Sequence, residues 1–158
     1  MVSIGYADAA HIPQIIEVWE GLMAHHKNLD PIFQDIKPDA PAIWEKYMRE
    51  HMASSDGIVL VALDGEEVVG FLMAQLSDYP PIFEERRHGA IADTAVKEGR
   101  RREGIGTMLV GRVMEWFREK GVERIEVRVA HLNPEGQAFW AKQGFTDIMD
   151  VKRLEMNR

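Results

Sequence analysis

The stretch "GRRREGIGTML", residues 99–109, combines three consecutive arginines, two closely spaced glycines and the start of an apolar helical pattern. The first turn of a helix leaves about four backbone N–H groups without internal partners and carries about +0.5 elementary charge. Phosphate oxygens accept from such donors, and glycine lets a pyrophosphate approach the backbone closely. The arginines and the Thr107 hydroxyl supply further donors. The sequence therefore predicts a phosphate-bearing ligand at residues 101–107.

Two known phosphate motifs are excluded at this stretch, and a simpler alternative stays open. A Walker A loop requires lysine where this chain has Ile105, and the dinucleotide fingerprint requires a third glycine where it has Leu109. The simpler alternative is a solvated basic turn in front of an ordinary helix. These residues alone do not decide between the turn and the phosphate site.

The surrounding residues predict an α/β fold with a mixed sheet, which would hold this stretch between a strand and a helix. Alternation of apolar and polar residues predicts strands, and a 3.6-residue period predicts helices. The expected elements are a strand over 2–6, helices after Asp8 and over 41–54, a hairpin over 57–76, a loop over 77–89, a strand over 90–96, a helix over 105–121, a strand over 124–130, a short helix closed by Gly144, and a terminal strand over 145–156. The unit from 90 to 130 is expected to pair its strands in parallel through a right-handed crossover.

Composition predicts a single domain over residues 1–158 and excludes several classes of function. A net charge of −7 argues against general binding to nucleic acid or to an anionic membrane. The absence of cysteine excludes disulfides and thiolate sites, and no residue spacing predicts a metal. The N-terminus lacks the pattern of a signal peptide and no apolar run could span a bilayer, so we expect a cytoplasmic protein.

Two motifs together resemble the GNAT superfamily of N-acetyltransferases. Arg101-x-x-Gly104-x-Gly106, after a strand and opening a helix, resembles the acyl-CoA pyrophosphate loop of that family. "NPEGQAFWAKQGF", residues 133–145, resembles its distal motif, and the order of elements agrees over essentially the whole chain. The resemblance implies a GNAT-like acyl-CoA N-acyltransferase fold, β-α-α-β-β-β-α-β-α-β, with acetyl-CoA held where two parallel strands splay apart.

The resemblance also implies which residues contact acetyl-CoA. The pantetheine arm would bind the strand at 90–96, the pyrophosphate would bind the glycine loop, and the distal motif would flank the arm. The implied cofactor-binding residues are Thr94, Ala95, Val96, Arg101, Arg102, Glu103, Gly104, Ile105, Gly106, Thr107, Asn133, Phe139 and Trp140. Trp140 stands where many members carry a tyrosine that acts as general acid, a role that an indole N–H does not fill. The source of the proton for the leaving thiolate stays open, as does a purely structural role for Trp140.

Asp93 is the first candidate for the base that removes a proton from the acceptor amine, because it interrupts an apolar strand. A structural carboxylate is the alternative interpretation. Glu84 and Glu85 are further candidates, with solvated surface charge as their alternative. His131 follows the strand over 124–130 and is another candidate. The alternative interpretation of His131 is a loop histidine with no role.

The stretch "HHKNLDPIF", residues 25–33, follows the first predicted helix and is expected to face the reacting sulfur. Its mixture of charge and apolar surface suits an amine with an apolar body. The candidate acceptor-binding residues are His25, His26, Asp30 and Phe33. A solvated helix end without a binding role is the alternative.

The predicted function is transfer of an acetyl group from acetyl-CoA to a primary amine of a small molecule or peptide, by direct attack in a ternary complex. One alternative is an acyl-CoA-binding sensor without turnover. This alternative stays open because Trp140 stands where many family members carry the tyrosine that acts as general acid. Another is a structural domain with no site for coenzyme A. A homodimer formed through the terminal strand and a monomer both remain open.

Overall fold

A computed structural model describes residues 1–156 and contains one five-stranded sheet with the strand order β1-β2-β3-β4-β5. All neighbouring strands are antiparallel except β4 and β5, which are parallel. The strands are β1 Val2–Tyr6, β2 Gly57–Asp64, β3 Glu67–Asp78, β4 Arg87–Val96 and β5 Ile125–Val127. The helices are α1 Ile12–His26, α2 Ala40–Ala53, α3 Ile105–Glu119 and α4 Pro134–Lys142, with two short 3-10 turns at Ala9–His11 and Pro31–Gln34.

The element boundaries follow local chemistry. Asp8 caps the 3-10 turn that precedes α1, and its side chain accepts a hydrogen bond from the backbone of Ala10. Prolines occupy the first turns of α1, α2 and α4, where a missing N–H costs nothing. Gly65 adopts φ +63° in the turn between β2 and β3, a conformation that glycine tolerates without strain.

Helices cover both faces of the sheet. Side chains from α1 and α2 pack on one face against alternate residues of β2 and β3, including Phe71 and Met73. The apolar side of α3 packs on the other face against the intervening residues, including Leu72. Because successive side chains of a strand point to opposite faces, the two strands build two separate cores.

A one-residue bulge in β4 separates the two parallel strands. Met73 pairs with Asp93 and Ala74 pairs with Ile91, so Ala92 is the extra residue of β4. The parallel pairing of β4 with β5 ends at Ile91 and Val127, just before the bulge. Residues 92–96 and 128–130 therefore diverge, and we call the gap between these two segments the wedge. The predicted splay of parallel strands is confirmed.

The predicted bounds of one loop and one strand were wrong. Strand β3 extends to Asp78 and β4 begins at Arg87, so the intervening loop spans 79–86 rather than 77–89. The strand predicted over 124–130 is paired only over 125–127, because the wedge removes its partner beyond Val127.

The predicted terminal strand is also wrong, so the observed order ends at α4. Residues 145–156 form no regular secondary structure, and their apolar side chains are exposed at Ile148, Met149, Val151, Leu154 and Met156. β5 offers only three residues, and Arg153 holds this segment against Asp30 through two hydrogen bonds. Residues 157 and 158, which complete the predicted domain, lie outside the described part of the chain. Within residues 1–156, no helix is both long and apolar enough to cross a membrane.

Candidate functional site

The side-chain hydroxyl of Thr94, on β4 beside the wedge, lacks a hydrogen-bond partner in the described part of the chain. Thr94 pairs with Leu72 and so points toward the α3 face of the sheet. Its hydroxyl is buried and has no hydrogen-bond partner among residues 1–156. Buried hydroxyls without a partner are costly, so an orphaned one beside a gap favours a ligand with a polar atom there. This observation supports the prediction that residues 94–96 contact a bound molecule.

The loop before α3 is held in a left-handed backbone conformation. Gly99, Arg102 and Gly104 have φ values of +87°, +66° and +79°. Gly104 is the N-cap of α3, and no side chain within residues 1–156 caps the helix there. The N–H groups of the first turn are therefore available to an anion, and the phosphate site stays a prediction.

Gly106 lies against the ring of Phe139, in addition to its predicted place in the phosphate loop. A Cβ atom at Gly106 would lie 3.0 Å from ring atoms of Phe139. The missing side chain therefore lets α4 pack against the first turn of α3. Thr107 supports the same contact, since its hydroxyl accepts a hydrogen bond from Gln143 at 3.0 Å.

The three arginines are not equivalent. Arg100 forms ion pairs within the protein, and its guanidinium lies 3.0 Å from Asp64 and 2.8 Å from Glu103. These hydrogen bonds raise the pKa of Arg100, and the one to Glu103 lowers the pKa of that carboxyl. Glu103 is thus an internal partner of the loop rather than a free ligand.

Arg101 and Arg102 line a cavity of about 500 Å³ between the loop and α4. Phe139 and Lys142 line its α4 side, and Glu135 lies 3.6 Å from Arg101. Three cationic side chains therefore surround one cavity next to the uncapped end of α3. Such a cavity suits a ligand with several phosphate oxygens.

The distal motif forms α4 and anchors it in the core. The Asn133 side chain caps α4 by accepting a hydrogen bond from the N–H of Gly136 at 3.1 Å. Trp140 is buried between Phe139 and Phe145, with ring centroids 4.9 Å and 5.2 Å away. Trp140 therefore belongs to the core under α3, in agreement with the structural alternative for this residue.

Asp93 lies on the sheet face that packs against α1 and α2. Its carboxylate accepts a hydrogen bond from the indole N–H of Trp44 at 3.0 Å. Burial raises the pKa of Asp93, and the Trp44 hydrogen bond and the nearby His26 and His51 offset part of that rise. A carboxylate with a raised pKa is a stronger base than an exposed one, which suits proton removal from an amine.

Sequence reasoning missed the residues of α2 that surround Asp93. Trp44, Tyr47 and His51 follow a helical spacing that was visible in the sequence. Trp44 and His51 are buried toward the sheet, and the more exposed Tyr47 packs its ring against His51 with centroids 4.4 Å apart. His51 is buried, and its Nε2 atom lies 2.6 Å from the Gln75 side-chain oxygen. Burial and the neighbouring Asp93 carboxylate raise the pKa of Tyr47.

Of the predicted acceptor residues, His26 lies near Asp93, whereas Asp30 is paired with another residue. His26 lies close enough to Asp93 to lower its pKa, and the His26 ring packs against Phe33 with centroids 4.9 Å apart. His25 contacts the edge of the His26 ring. Both carboxylate oxygens of Asp30 are hydrogen-bonded by Arg153, which lowers the pKa of Asp30 to about 2. Asp30 therefore anchors the C-terminal segment in this structure.

The other predicted bases lie apart from this group. Glu84 and His131 are exposed, and Glu85 lies 3.3 Å from Arg124. Within residues 1–156 no cluster of three or more histidine, cysteine, aspartate or glutamate residues could hold a metal ion.

The fold, wedge and loop match a known family. The model of the Acetyltransferase (GNAT) family matches residues 28–145. The chain belongs to this family. The predicted family is thereby confirmed, and with it the expected acyltransferase fold.

Individual relatives agree with this assignment. An uncharacterized N-acetyltransferase from Archaeoglobus fulgidus is 32% identical over 100 residues, which span 63% of this chain and 63% of that protein. A predicted acetyltransferase from Clostridium acetobutylicum, solved with acetyl-CoA, has 19% identity and a TM-score of 0.76, covering 98% of this chain and 96% of the other. An aminoglycoside 6'-N-acetyltransferase from Acinetobacter haemolyticus has 18% identity and a TM-score of 0.76, covering 99% of both chains.

Proposed function

We propose that the protein is an N-acetyltransferase that transfers the acetyl group of acetyl-CoA to a primary amine by direct attack in a ternary complex. The observation that carries the proposal is the wedge at the Ala92 bulge, which has an orphaned buried hydroxyl on its wall. Family membership and the solved neighbour with acetyl-CoA support the same reaction.

The residues around the wedge fit acetyl-CoA. Backbone groups of residues 94–96 and the Thr94 hydroxyl would hold the pantetheine arm, and the N–H groups of residues 104–107 would hold the pyrophosphate. Arg101, Arg102 and Lys142 would neutralise its remaining phosphate charge. Acetyl-CoA supplies the activated thioester.

Asp93 is proposed as the general base. An acceptor amine is protonated at neutral pH and must lose a proton before its nitrogen can attack a carbonyl carbon. Asp93 accepts that proton, the C–N bond forms, the C–S bond breaks, and the nitrogen releases its second proton to solvent. Since Trp140 is buried in the core and its indole N–H is a poor acid, the departing thiolate takes its proton from solvent.

The position of Trp140 also favours a second candidate function, an acyl-CoA-binding sensor without turnover. Binding of acetyl-CoA by calorimetry, combined with acetyl-CoA-dependent thiol release over a panel of amines, separates the two functions. Release that requires an amine supports the transferase. Binding without release from any amine would support the sensor. The chain has no cysteine, so its own side chains contribute no thiol signal.

The acceptor is proposed to be a small-molecule amine, in line with the aminoglycoside acetyltransferase among the structural neighbours. We place the reaction in the cytoplasm, where acetyl-CoA and free amines occur together.

The protein is further proposed to act as a homodimer. Strand β5 is the last strand of the sheet within residues 1–156, so its outer edge is unpaired. The segment 145–156 has exposed apolar side chains and the alternation of a strand, but pairs with no strand of its own sheet. A second copy would supply the missing partner for both features.

A further inference from the structure

An open hollow of about 460 Å³ lies between α1 and α2, on the same face of the sheet as Asp93. Aromatic and aliphatic side chains form its walls almost entirely. The residues lining this α1–α2 hollow are Trp19, Lys37, Ala40, Ile43, Trp44 and Tyr47. The hollow is separate from the basic cavity beside the loop of residues 99–104.

Two tryptophans make the wall of the hollow rigid. Trp19 and Trp44 stack with ring centroids 4.9 Å apart and an interplanar angle of 13°. Trp44 also contacts the Phe71 ring edge-on at 5.5 Å. A preformed aromatic wall binds a flat or branched apolar group without losing side-chain freedom on binding.

The hollow adjoins the proposed base. Trp44 lines the hollow and donates its indole N–H to Asp93. Tyr47 lines the hollow as well, and its pKa responds to the charge of Asp93. The Trp44 indole therefore lies between an apolar group in the hollow and the carboxylate that accepts the proton of an attached amine.

The charges around the hollow suit a single ammonium group. Asp93 offers one partly buried carboxylate, held by the indole N–H of the lining residue Trp44. Among the six lining residues of the described chain, Lys37 alone is charged, and it is positive. An acceptor with several ammonium groups would bring extra positive charge toward Lys37 with no lining carboxylate to neutralise it.

We infer that the acceptor is a primary monoamine that carries one aromatic or branched aliphatic group, rather than a polyamine or an aminoglycoside. This inference rests on the proposed transferase function and names its substrate class. The apolar group fills the α1–α2 hollow, and the amine faces Asp93 and the wedge.

The test compares kcat/KM for 2-phenylethylamine and 3-methylbutylamine with kcat/KM for spermidine and kanamycin, at saturating acetyl-CoA. We expect the two monoamines to exceed the polycations by at least about tenfold. Preference for spermidine or kanamycin would overturn the inference while leaving the transferase intact. Failure of every amine, with acetyl-CoA still bound, would overturn the proposed transferase and this inference with it.

A pair of matched variants tests the location of the apolar group. Ile43 lines the hollow and is half exposed, whereas Ile82 is exposed on the loop 79–86. Ile43→Asp is expected to raise KM for 2-phenylethylamine about tenfold without changing acetyl-CoA affinity, and Ile82→Asp to change neither. Equal effects of the two substitutions on KM would show that the apolar group binds elsewhere.

Charge reversal provides the complementary test. Lys37→Glu is expected to lower KM for spermidine, while Lys120→Glu, at an exposed position just beyond α3, leaves it unchanged. An unchanged KM for spermidine in Lys37→Glu would contradict the charge argument.

Discussion

At the scale of single residues, the Asp93 carboxylate combines burial with one strong hydrogen-bond donor. Burial disfavours its charged form, and the Trp44 N–H restores part of the charge stability. This balance leaves a carboxylate that is more basic than an exposed aspartate. Nothing in the sequence around position 93 could have revealed the balance, because Trp44 is 49 residues away.

Asp93→Asn is expected to lower kcat at least about 100-fold while acetyl-CoA affinity stays within about twofold, because the amide cannot accept the proton.

The same variant is expected to change the pH dependence of stability. The pKa of Asp93 is raised in the folded protein, so the folded state favours the protonated carboxyl. The resulting contribution to the free energy of unfolding is complete below the ordinary pKa of 3.8 and is lost as pH rises through the raised pKa. The variant should therefore melt at a higher temperature than the natural protein at pH 7, and the difference should shrink toward pH 4. Turnover assays, calorimetry and thermal melts measure the three quantities. Full activity in the folded variant would exclude Asp93 as the base.

Trp44→Phe is expected to move the acid limb of the kcat/KM profile to higher pH. Activity falls as pH is lowered through the pKa of Asp93, and loss of the indole N–H removes a contact that lowers this pKa. Trp116→Phe, on α3 at the opposite face, is the matched control and should leave the limb in place. An identical acid limb in Trp44→Phe and the natural protein would show that another group controls it.

At the scale of secondary-structure elements, the helices and antiparallel strands were predicted to within about three residues, whereas the bulge in β4 and the contact between α3 and α4 were not predicted. The apolar periods of α1, α2 and α3 are long, and the hairpin turn carries its expected glycine. The stretch "AIADTAV" has the pattern of a regular strand, in which Ile91 and Asp93 would share a face. The bulge places them on opposite faces, and it depends on pairing with Met73 and Ala74, which local sequence does not encode.

The contact between α3 and α4 is the second feature that local sequence did not explain. Gly106 was expected to make room for phosphate, and the structure also places the Phe139 ring of α4 against it. The two helices are successive in the chain, yet no motif indicates that they approach each other at this glycine.

Gly106→Ala is expected to weaken acetyl-CoA binding about tenfold, because a Cβ atom 3.0 Å from the Phe139 ring displaces α4 from the cofactor loop. Gly111→Ala, in the same helix with nothing within 4 Å of its added Cβ, is the matched control. It should stabilise the protein by up to about 1 kcal/mol through helix propensity alone. Calorimetry and chemical denaturation measure both effects. Equal acetyl-CoA affinity in the two variants would contradict the role given to the Phe139 contact.

At the scale of the whole molecule, overall charge and local charge have opposite signs. The chain carries a net charge of −7, yet Arg101, Arg102 and Lys142 surround one cavity. The arginine cluster indicated this local reversal, but only the structure shows that Arg100 is paired internally and that Lys142 takes part. The reversal favours an anionic ligand at one place on an acidic surface.

Leu154→Asp is expected to weaken the proposed homodimer at least about tenfold, because a charge would replace an apolar side chain buried between two copies. Light scattering with size-exclusion chromatography across a concentration series measures the dissociation constant. Ile82→Asp, a like change at an exposed position outside the segment 145–156, should leave the dimer unchanged. A natural protein that stays monomeric at every concentration would refute the dimer itself.

The bulge in β4 has a consequence for how the site can vary over generations. The divergence of β4 from β5 depends on the number of residues between Asp93 and Ile91, not on the chemistry of Ala92, whose side chain is exposed. Point mutations at position 92 therefore leave the wedge open. Loss of a single codon there would restore a continuous ladder between β3 and β4. Ile91 and Asp93 already point to opposite faces and would keep them, but the strand would no longer turn away from β5 and the wedge would close. Deletion of one residue at this position is therefore expected to damage the site more than a substitution there.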